Sequence, residues 1–198
     1  MAIIVDKDKK REDIALSCKD LVVNSDINSL TISTIAKEAG IGKGTFYEYF
    51  KDKYELVFEI VNILMKEHNI KKEKKLKLAK STREKIKIFI ESYYIDEFLE
   101  LRETNKKLIA LSILSQNEKM LEFETNIYNF FKNWANKEIE EAIKARELKP
   151  IAKDFVEIVY SMAKGMFITS LTTKDAINLK DSLDKSIDTI FDLVEEKR

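Results

Sequence analysis

The amino-acid sequence predicts an all-α protein. Lys, Glu, Leu, Ile and Ala dominate its 198 residues, and the chain has only four glycines and one proline, Pro150. Residues that favour helices therefore run almost without helix breakers. The apolar fraction of 44% and the charged fraction of 35% fit a globular protein with a sizeable core. Three of the four glycines fall close together, at Gly40, Gly42 and Gly44.

Composition also excludes several classes of protein. The single cysteine, Cys18, cannot form an intramolecular disulfide, so we expect a reducing, cytoplasmic setting. The N-terminal apolar run is only four residues long, too short for a signal peptide, and no stretch approaches 18 apolar residues. We therefore expect no membrane association. A formal net charge of zero argues against nonspecific coating of nucleic acid.

The first predicted helix runs from about residue 7 to residue 24. Ile14, Cys18, Leu21 and Val22 recur at helical spacing and form one apolar stripe on it. Because Cys18 lies on that stripe, we interpret it as a small core residue rather than a reactive thiol.

The next segment has the pattern of a helix-turn-helix. Thr31 or Ser33 can cap a short helix that ends at Gly40, where glycine tolerates the left-handed backbone of a tight turn. A second short helix then starts at Gly42 or Lys43. The side chains of Phe46 and Phe50, one turn apart, are predicted to pack in the core. At Gly42 and Gly44 the missing side chain would let backbone N–H groups approach a phosphate.

Residues 31–56 resemble the DNA-binding signature of the TetR family of bacterial transcriptional regulators. The match has no gaps, the family's preceding helix fits residues 10–24, and the resemblance covers roughly the first quarter of the chain. The matching positions are Thr31, Ile35-Ala36, Ala39-Gly40-Ile41, Lys43-Gly44-Thr45, Tyr47, Phe50, Lys53 and Leu56.

The resemblance implies a homodimer that binds double-stranded operator DNA with its third helix in the major groove. By position, the residues facing DNA would be Lys43, Gly44, Thr45, Tyr47 and Tyr49, and those holding phosphates would be Thr31 and Lys53. The chemistry agrees, since lysine can donate to guanine or phosphate, a threonine methyl can pack on thymine, and tyrosine hydroxyls can donate to phosphate oxygens. The implied domains are residues 1–53 for DNA binding and residues 54–198 for ligand binding and dimerisation.

Two positions depart from the family pattern. Gly42 replaces a serine that many members carry before the lysine, which removes one hydroxyl contact. Glu48 lies inside the recognition helix, where we expect it to face solvent or pair with Lys51.

A long fourth helix is predicted after Asp52, its expected cap. From residue 66 to residue 87 the chain has ten Lys or Arg and three acidic residues, and we interpret this stretch as a solvated helix end rather than a second nucleic-acid site. His68 is the only histidine and has no neighbours at metal-ligand spacing.

Residues 82–149 are predicted to form about three helices, broken near Thr104 and near residues 116–117. The stretch is rich in aromatic residues, which usually form plain core, whereas the resemblance implies an inducer pocket among these helices. Such a pocket would favour a small apolar or aromatic ligand. The candidate pocket residues are Phe89, Tyr93, Phe123, Phe130, Trp134, Met162 and Met166.

Two amphipathic helices follow the boundary at Pro150. The first, about residues 152–172, has apolar residues on two sides, and the last repeats a strong apolar stripe. Surplus apolar surface on both predicts a four-helix interface with the twofold mate. The candidate interface residues are Phe167, Leu171, Leu183, Ile187, Ile190, Phe191 and Val194.

The sequence therefore predicts a ligand-responsive transcriptional repressor that binds palindromic operator DNA as a homodimer and is released by a small-molecule inducer. No metal or cofactor is expected. An enzyme is not expected, because the sequence offers no nucleophile–base pair, metal cluster or phosphate-binding loop. The alternative is a DNA-bound protein-interaction module on the same fold, without a small-molecule inducer.

Overall fold

A computed structural model describes residues 6–115, 118–174 and 178–196 of the chain. The described residues form α-helices and short 3-10 helices, which confirms the predicted all-α class. The helices, in chain order, are α1 Lys7–Ser17, α2 Lys19–Asn24, α3 Ile32–Glu38, α4 Lys43–Tyr49, α5 Lys53–Leu78, α6 Thr82–Ile90, α7 Leu99–Ser115, α8 Glu118–Lys144, α9 Phe155–Thr172 and α10 Leu179–Val194. Among these residues, no helix has both the length and the apolar character needed to cross a bilayer.

Side-chain caps start several helices where the sequence favours them. The Thr31 hydroxyl accepts a hydrogen bond from the Thr34 N–H at 3.2 Å, and the Asp52 carboxylate accepts one from the Glu55 N–H at 2.9 Å. Asp52 was the predicted cap of α5, and Thr31 was one of the two predicted candidates for the cap of α3. At α6 the Ser81 hydroxyl accepts from the backbone N–H of Glu84.

The helix boundaries differ from the predictions at two places. The single helix expected over residues 7–24 is divided at Cys18, whose side chain is buried as predicted. The break expected near Thr104 is wrong, because Thr104 lies inside α7 with its hydroxyl donating to the Glu100 carbonyl. The chain instead leaves α-helical structure at residues 91–98, where two 3-10 turns replace it. The break expected near residues 116–117 lies outside the described residues.

The chain divides into two compact units. The first contains Met1–Asn69 and Leu99–Asn117, and the second contains Ile70–Phe98 and Glu118–Arg198. The predicted division at residue 53 concerns function and stays a prediction.

The second unit has one apolar core, built where α6, α8, α9 and α10 meet. Its fully buried side chains include Ile86, Phe131, Ala135, Leu183 and Ile187. On α10 the buried residues recur every three or four positions, so one face of that helix is used entirely for this core.

Candidate functional site

The turn between α3 and α4 has the geometry that the sequence predicts. Gly40 has a φ of 63°, in the left-handed region that favours glycine. The Ile41 N–H donates to the Ala36 carbonyl at 2.9 Å, and the Gly40 N–H donates to the Lys37 carbonyl at 3.1 Å. This pair of bonds is a Schellman motif, and it ends α3 while redirecting the chain into α4.

Two phenylalanines and one arginine hold α4 in place. Phe46 and Phe50 are fully buried, with ring centroids 5.4 Å apart, as predicted. The Arg11 guanidinium lies 4.3 Å from the centre of the Phe50 ring, donates to the Tyr49 carbonyl, and pairs with Glu59 at 2.8 Å. The role of Arg11 was not predictable, because nothing in its local sequence shows that it reaches the end of α4.

The residues predicted to face DNA lie on α4. Lys43 and Gly44 are exposed, and Thr45 and Tyr49 are half-buried. Tyr47 is 58% exposed, and its ring is held edge-on against Phe46 at a centroid distance of 5.7 Å. An aromatic side chain held outward in this way is available to a partner.

Gly44 has no packing partner inside the chain. A Cβ at Gly42 or at Gly44 would meet no atom within 4 Å. Glycine inside a helix costs about 1 kcal/mol relative to alanine, so the fold itself gives no reason for glycine at position 44. A requirement for close approach by an external molecule would give one.

The two predicted phosphate-binding residues make internal contacts. Thr31 caps α3, and the Lys53 ammonium donates to the carbonyls of Asn28 at 2.7 Å and Leu30 at 3.0 Å. These bonds hold the loop before α3 against the start of α5. Contact of either residue with phosphate stays a prediction.

Helix α7 supplies two lysine-mediated contacts to the N-terminal helices. The Lys107 ammonium donates to the carbonyls of Val22, Val23 and Ser25, and burial lowers its pKa. Lys19 pairs with Glu100 at 2.8 Å, a contact that raises the pKa of Lys19. Neither contact was predictable from the sequence, because about 80 residues separate the partners.

The predicted pocket residues lie in the second unit. Phe89 stacks on Trp134 at 4.4 Å, and Phe130 lies 6.1 Å from Phe89 but is 49% exposed. Tyr93 lies 5.2 Å from Phe167, and burial raises the pKa of its hydroxyl. The other three candidates, each half-buried, are Phe123, Met162 and Met166.

The predicted dimer-interface residues require correction. Six of the seven are buried in their own chain, so they cannot provide surface to a second copy, and only Leu171 is exposed, at 45%. The apolar stripe of α10 packs in the core of its own unit instead of being surplus. The six buried residues are Phe167, Leu183, Ile187, Ile190, Phe191 and Val194.

The lysine-rich end of α5 is not simply solvated, as the sequence predicted. Lys72 is only 6% exposed, and burial lowers the pKa of its ammonium to about 8, although nearby Glu91 opposes the shift. Lys75 pairs with the buried Glu91 at 2.6 Å. A run of lysines cannot show which of their stems neighbouring helices cover, so the burial of Lys72 was not predictable from the sequence.

Comparison with known proteins supports the same reading of α3 and α4. The family model described as "Bacterial regulatory proteins, tetR family" matches residues 21–60, which contain the whole helix-turn-helix. The helix-turn-helix segment of this chain therefore matches that of the TetR family of bacterial regulatory proteins.

Similar proteins cover more of the chain than the family model does. The uncharacterized HTH-type transcriptional regulator YhgD of Bacillus subtilis is 27% identical over 136 residues, which are 65% of this chain and 66% of YhgD. A transcriptional regulator of Saccharomonospora viridis, solved in complex with choline, superposes with a TM-score of 0.75 at 16% identity and covers 96% of this chain and 100% of its own. SmeT, the repressor of the Stenotrophomonas maltophilia multidrug efflux pump SmeDEF, superposes with a TM-score of 0.72 at 16% identity. The match covers 94% of this chain and 91% of SmeT. These two structures share the fold.

Proposed function

We propose that this protein is a ligand-responsive repressor of the TetR family that binds palindromic operator DNA as a homodimer and is released by a small-molecule inducer. The observation that carries the DNA-binding part is Gly44, an exposed glycine inside α4 for which the chain itself offers no packing reason. As a cytoplasmic regulator, the protein would use residues 1–53 to bind DNA and residues 54–198 to bind ligand and dimerise.

In the proposed complex α4 enters the major groove. Lys43 would donate to a guanine or a phosphate, Thr45 would pack on a thymine methyl, and the hydroxyls of Tyr47 and Tyr49 would donate to phosphates. Gly44 would let the backbone of α4 lie close to the DNA. Because Thr31 caps α3 and Lys53 already holds the loop before it, their phosphate contacts would need no further ordering of that segment.

Two uncharged helix faces support the proposed dimer. On α9 the outward stripe is Ile158, Ser161, Gly165 and Thr169, of which Ile158 is 50% exposed. On α10, at the same three- and four-residue spacing, Thr189 and Leu193 are exposed and Ser182 and Ser186 are half-buried. Small neutral side chains allow helices of two copies to approach closely, and a twofold pairing would supply two copies of α4 for two half-sites.

The proposed release depends on the continuity of α5. This helix runs unbroken for 26 residues, from the end of the helix-turn-helix to Leu78. A ligand in the C-terminal domain would displace the last turns of α5. This would change the separation of the two copies of α4 in the dimer and weaken operator binding. SmeT, described as the repressor of a multidrug efflux pump, and the choline-bound regulator support repression and small-ligand binding as activities of this fold.

The experiment is binding of the purified protein to duplex DNA from upstream of its own gene, with a scrambled duplex alongside. The double variant Lys43→Ala, Tyr47→Ala removes two proposed contacts, and Lys137→Ala, on the exposed surface of α8, is the matched control. We expect tight, salt-sensitive binding that the double variant loses and the control keeps. Equal weak binding to both duplexes would contradict the proposal and favour the protein-interaction module.

A further inference from the structure

Lys72 is a buried cation without a counter-charge of its own. Its side chain is 6% exposed, and its ammonium lies 3.8 Å from the centre of the Phe89 ring. Within the described ranges it has no hydrogen bond and no ion pair. A ring face satisfies an ammonium only in part, because three N–H donors remain to be paired.

The buried carboxylates of the same unit already have partners. Glu91 pairs with Lys75 at 2.6 Å, and Glu124 pairs with Lys164 at 2.6 Å. Each pair is formally neutral, so Lys72 is the surplus positive charge in this part of the described structure. An interior with one surplus cation favours an anionic guest over a neutral or cationic one.

The surroundings of this ammonium are aromatic. Phe89 stacks on Trp134 at 4.4 Å and meets Phe131 edge-on at 4.9 Å. An apolar ligand body can pack against such rings while one polar group fixes its orientation.

We propose that Lys72 anchors the carboxylate of a small organic acid, whose aromatic or alkyl body packs beside Phe89 and Trp134. This inference rests on the proposed ligand-responsive function and names the chemical class of the inducer. The carboxylate would accept charge-assisted hydrogen bonds from the ammonium, which its position over Phe89 already orients.

The free oxygen of Glu124 is the competing feature. Its Oε1 atom is buried without a hydrogen-bond partner, which would suit a cationic ligand. The other oxygen already binds Lys164, however, so the site holds no net negative charge. The ammonium of Lys72 is the stronger attraction, and a cationic ligand becomes one outcome of the test.

Binding should also take up a proton. Burial keeps the pKa of Lys72 near 8, and the charged group that acts on it is Glu91, which is itself paired with Lys75. A bound carboxylate would raise that pKa and keep the ammonium charged. Binding near pH 8.5 should therefore absorb a fraction of a proton, which calorimetry in buffers of different ionisation enthalpy measures directly.

The test uses the full-length protein and the fluorescence of Trp134, the only tryptophan in the sequence. The acids are benzoate, phenylacetate and octanoate, and the comparison ligands are benzamide and choline. We expect a saturable change with at least one acid and none with the amide or choline. Lys72→Met should weaken acid binding about tenfold or more, and Lys72→Arg should restore part of it. The matched control is Lys71→Met, a half-exposed neighbour paired with Glu97, which should bind as the natural protein does.

The inference is overturned if no acid binds at concentrations up to about 10 mM, if Lys72→Met binds acid as tightly as the natural protein, or if choline binds instead. Operator binding by each variant without ligand shows that it is folded. A protein that binds operator but no acid refutes the inference alone. One that binds acid but no operator refutes the proposed repressor and leaves the carboxylate site standing.

Discussion

In the proposed complex, Gly44 lowers the stability of the free protein in exchange for close access to DNA. A Cβ at this position meets open space, and alanine is the better helix former. We predict that Gly44→Ala raises the free energy of unfolding by about 0.5–1 kcal/mol and weakens operator binding about tenfold. Chemical denaturation and DNA titration measure the two effects. Unchanged operator affinity would show that α4 does not approach DNA closely at this residue.

Lys72 lowers the stability of the ligand-free protein by an amount that depends on pH. Its folded-state pKa, about 8, lies below the ordinary value of 10.5, because burial disfavours the charged form. Below pH 8 the Lys72 side chain is protonated in both the folded and the unfolded state. Burial of the charged ammonium then lowers the free energy of unfolding by its full amount. Between pH 8 and pH 10.5 the unfolded state binds more protons, so stability rises with pH, by about 3 kcal/mol in total.

Lys72→Met should therefore stabilise the free protein at pH 7 by about 2 kcal/mol, once the lost ring contact is subtracted. The advantage should disappear as the pH approaches 10.5. Denaturation at several pH values measures it. Lys75→Met is the opposite case, because it leaves the buried Glu91 unpaired and should destabilise by about 3 kcal/mol. A Lys72 variant that destabilises at pH 7 would refute this account.

At the residue scale, the burial of a side chain is predictable where helical spacing alone decides it. Phe46 and Phe50, one turn apart, face the core, while Tyr47 stands outward between them. Burial is not predictable for Lys72, because covering helices distant in sequence, not local pattern, distinguish it from the half-exposed Lys71.

Among the elements, α4 depends on one residue of α1. Arg11 meets the Phe50 ring, the Tyr49 carbonyl at the end of α4, and Glu59 on α5. We predict that Arg11→Met lowers the free energy of unfolding by about 2 kcal/mol and also weakens operator binding, because α4 loses its fixed end. Lys9→Met, at an exposed position of α1, is the control. Loss of stability without loss of DNA affinity would show that Arg11 does not position α4 for DNA binding.

Element boundaries follow the sequence where caps and glycines mark them. The ends of α3 and the start of α5 were predictable from Thr31, Gly40 and Asp52. The interruption at residues 91–98 was not, because that stretch contains neither glycine nor proline. The 3-10 turns there form around the buried Glu91 and Phe98, through packing with residues distant in the sequence.

At the scale of the whole molecule, the proposed dimer surface on α9 and α10 makes a clear prediction. The double variant Ile158→Glu, Leu193→Glu places charge on these two helix faces and should give a stable monomer that no longer binds palindromic DNA tightly. Sedimentation at micromolar concentration measures the change. The side chains are 50% and 62% exposed, so folding should be nearly unaffected.

Leu183→Ala tests whether Leu183 belongs to the core of its own chain or to a dimer interface. Leu183 is fully buried in its own chain, so the truncation should cost about 3 kcal/mol of unfolding free energy. A variant that dissociates without this loss would restore the original assignment of Leu183 to the interface.

In the first compact unit, α7 is synthesised after the N-terminal helices that it contacts. The first section of this unit ends at Asn69, and its remaining helix, α7, comes only after the 29 residues of Ile70–Phe98. Lys107 and Glu100 on that helix make the contacts that complete the N-terminal helices. At about 5–20 residues per second, the nascent DNA-reading region must wait seconds for its last partner. During that interval the helix-turn-helix lacks the contacts from α7, although every residue that it would use to read DNA has already been made.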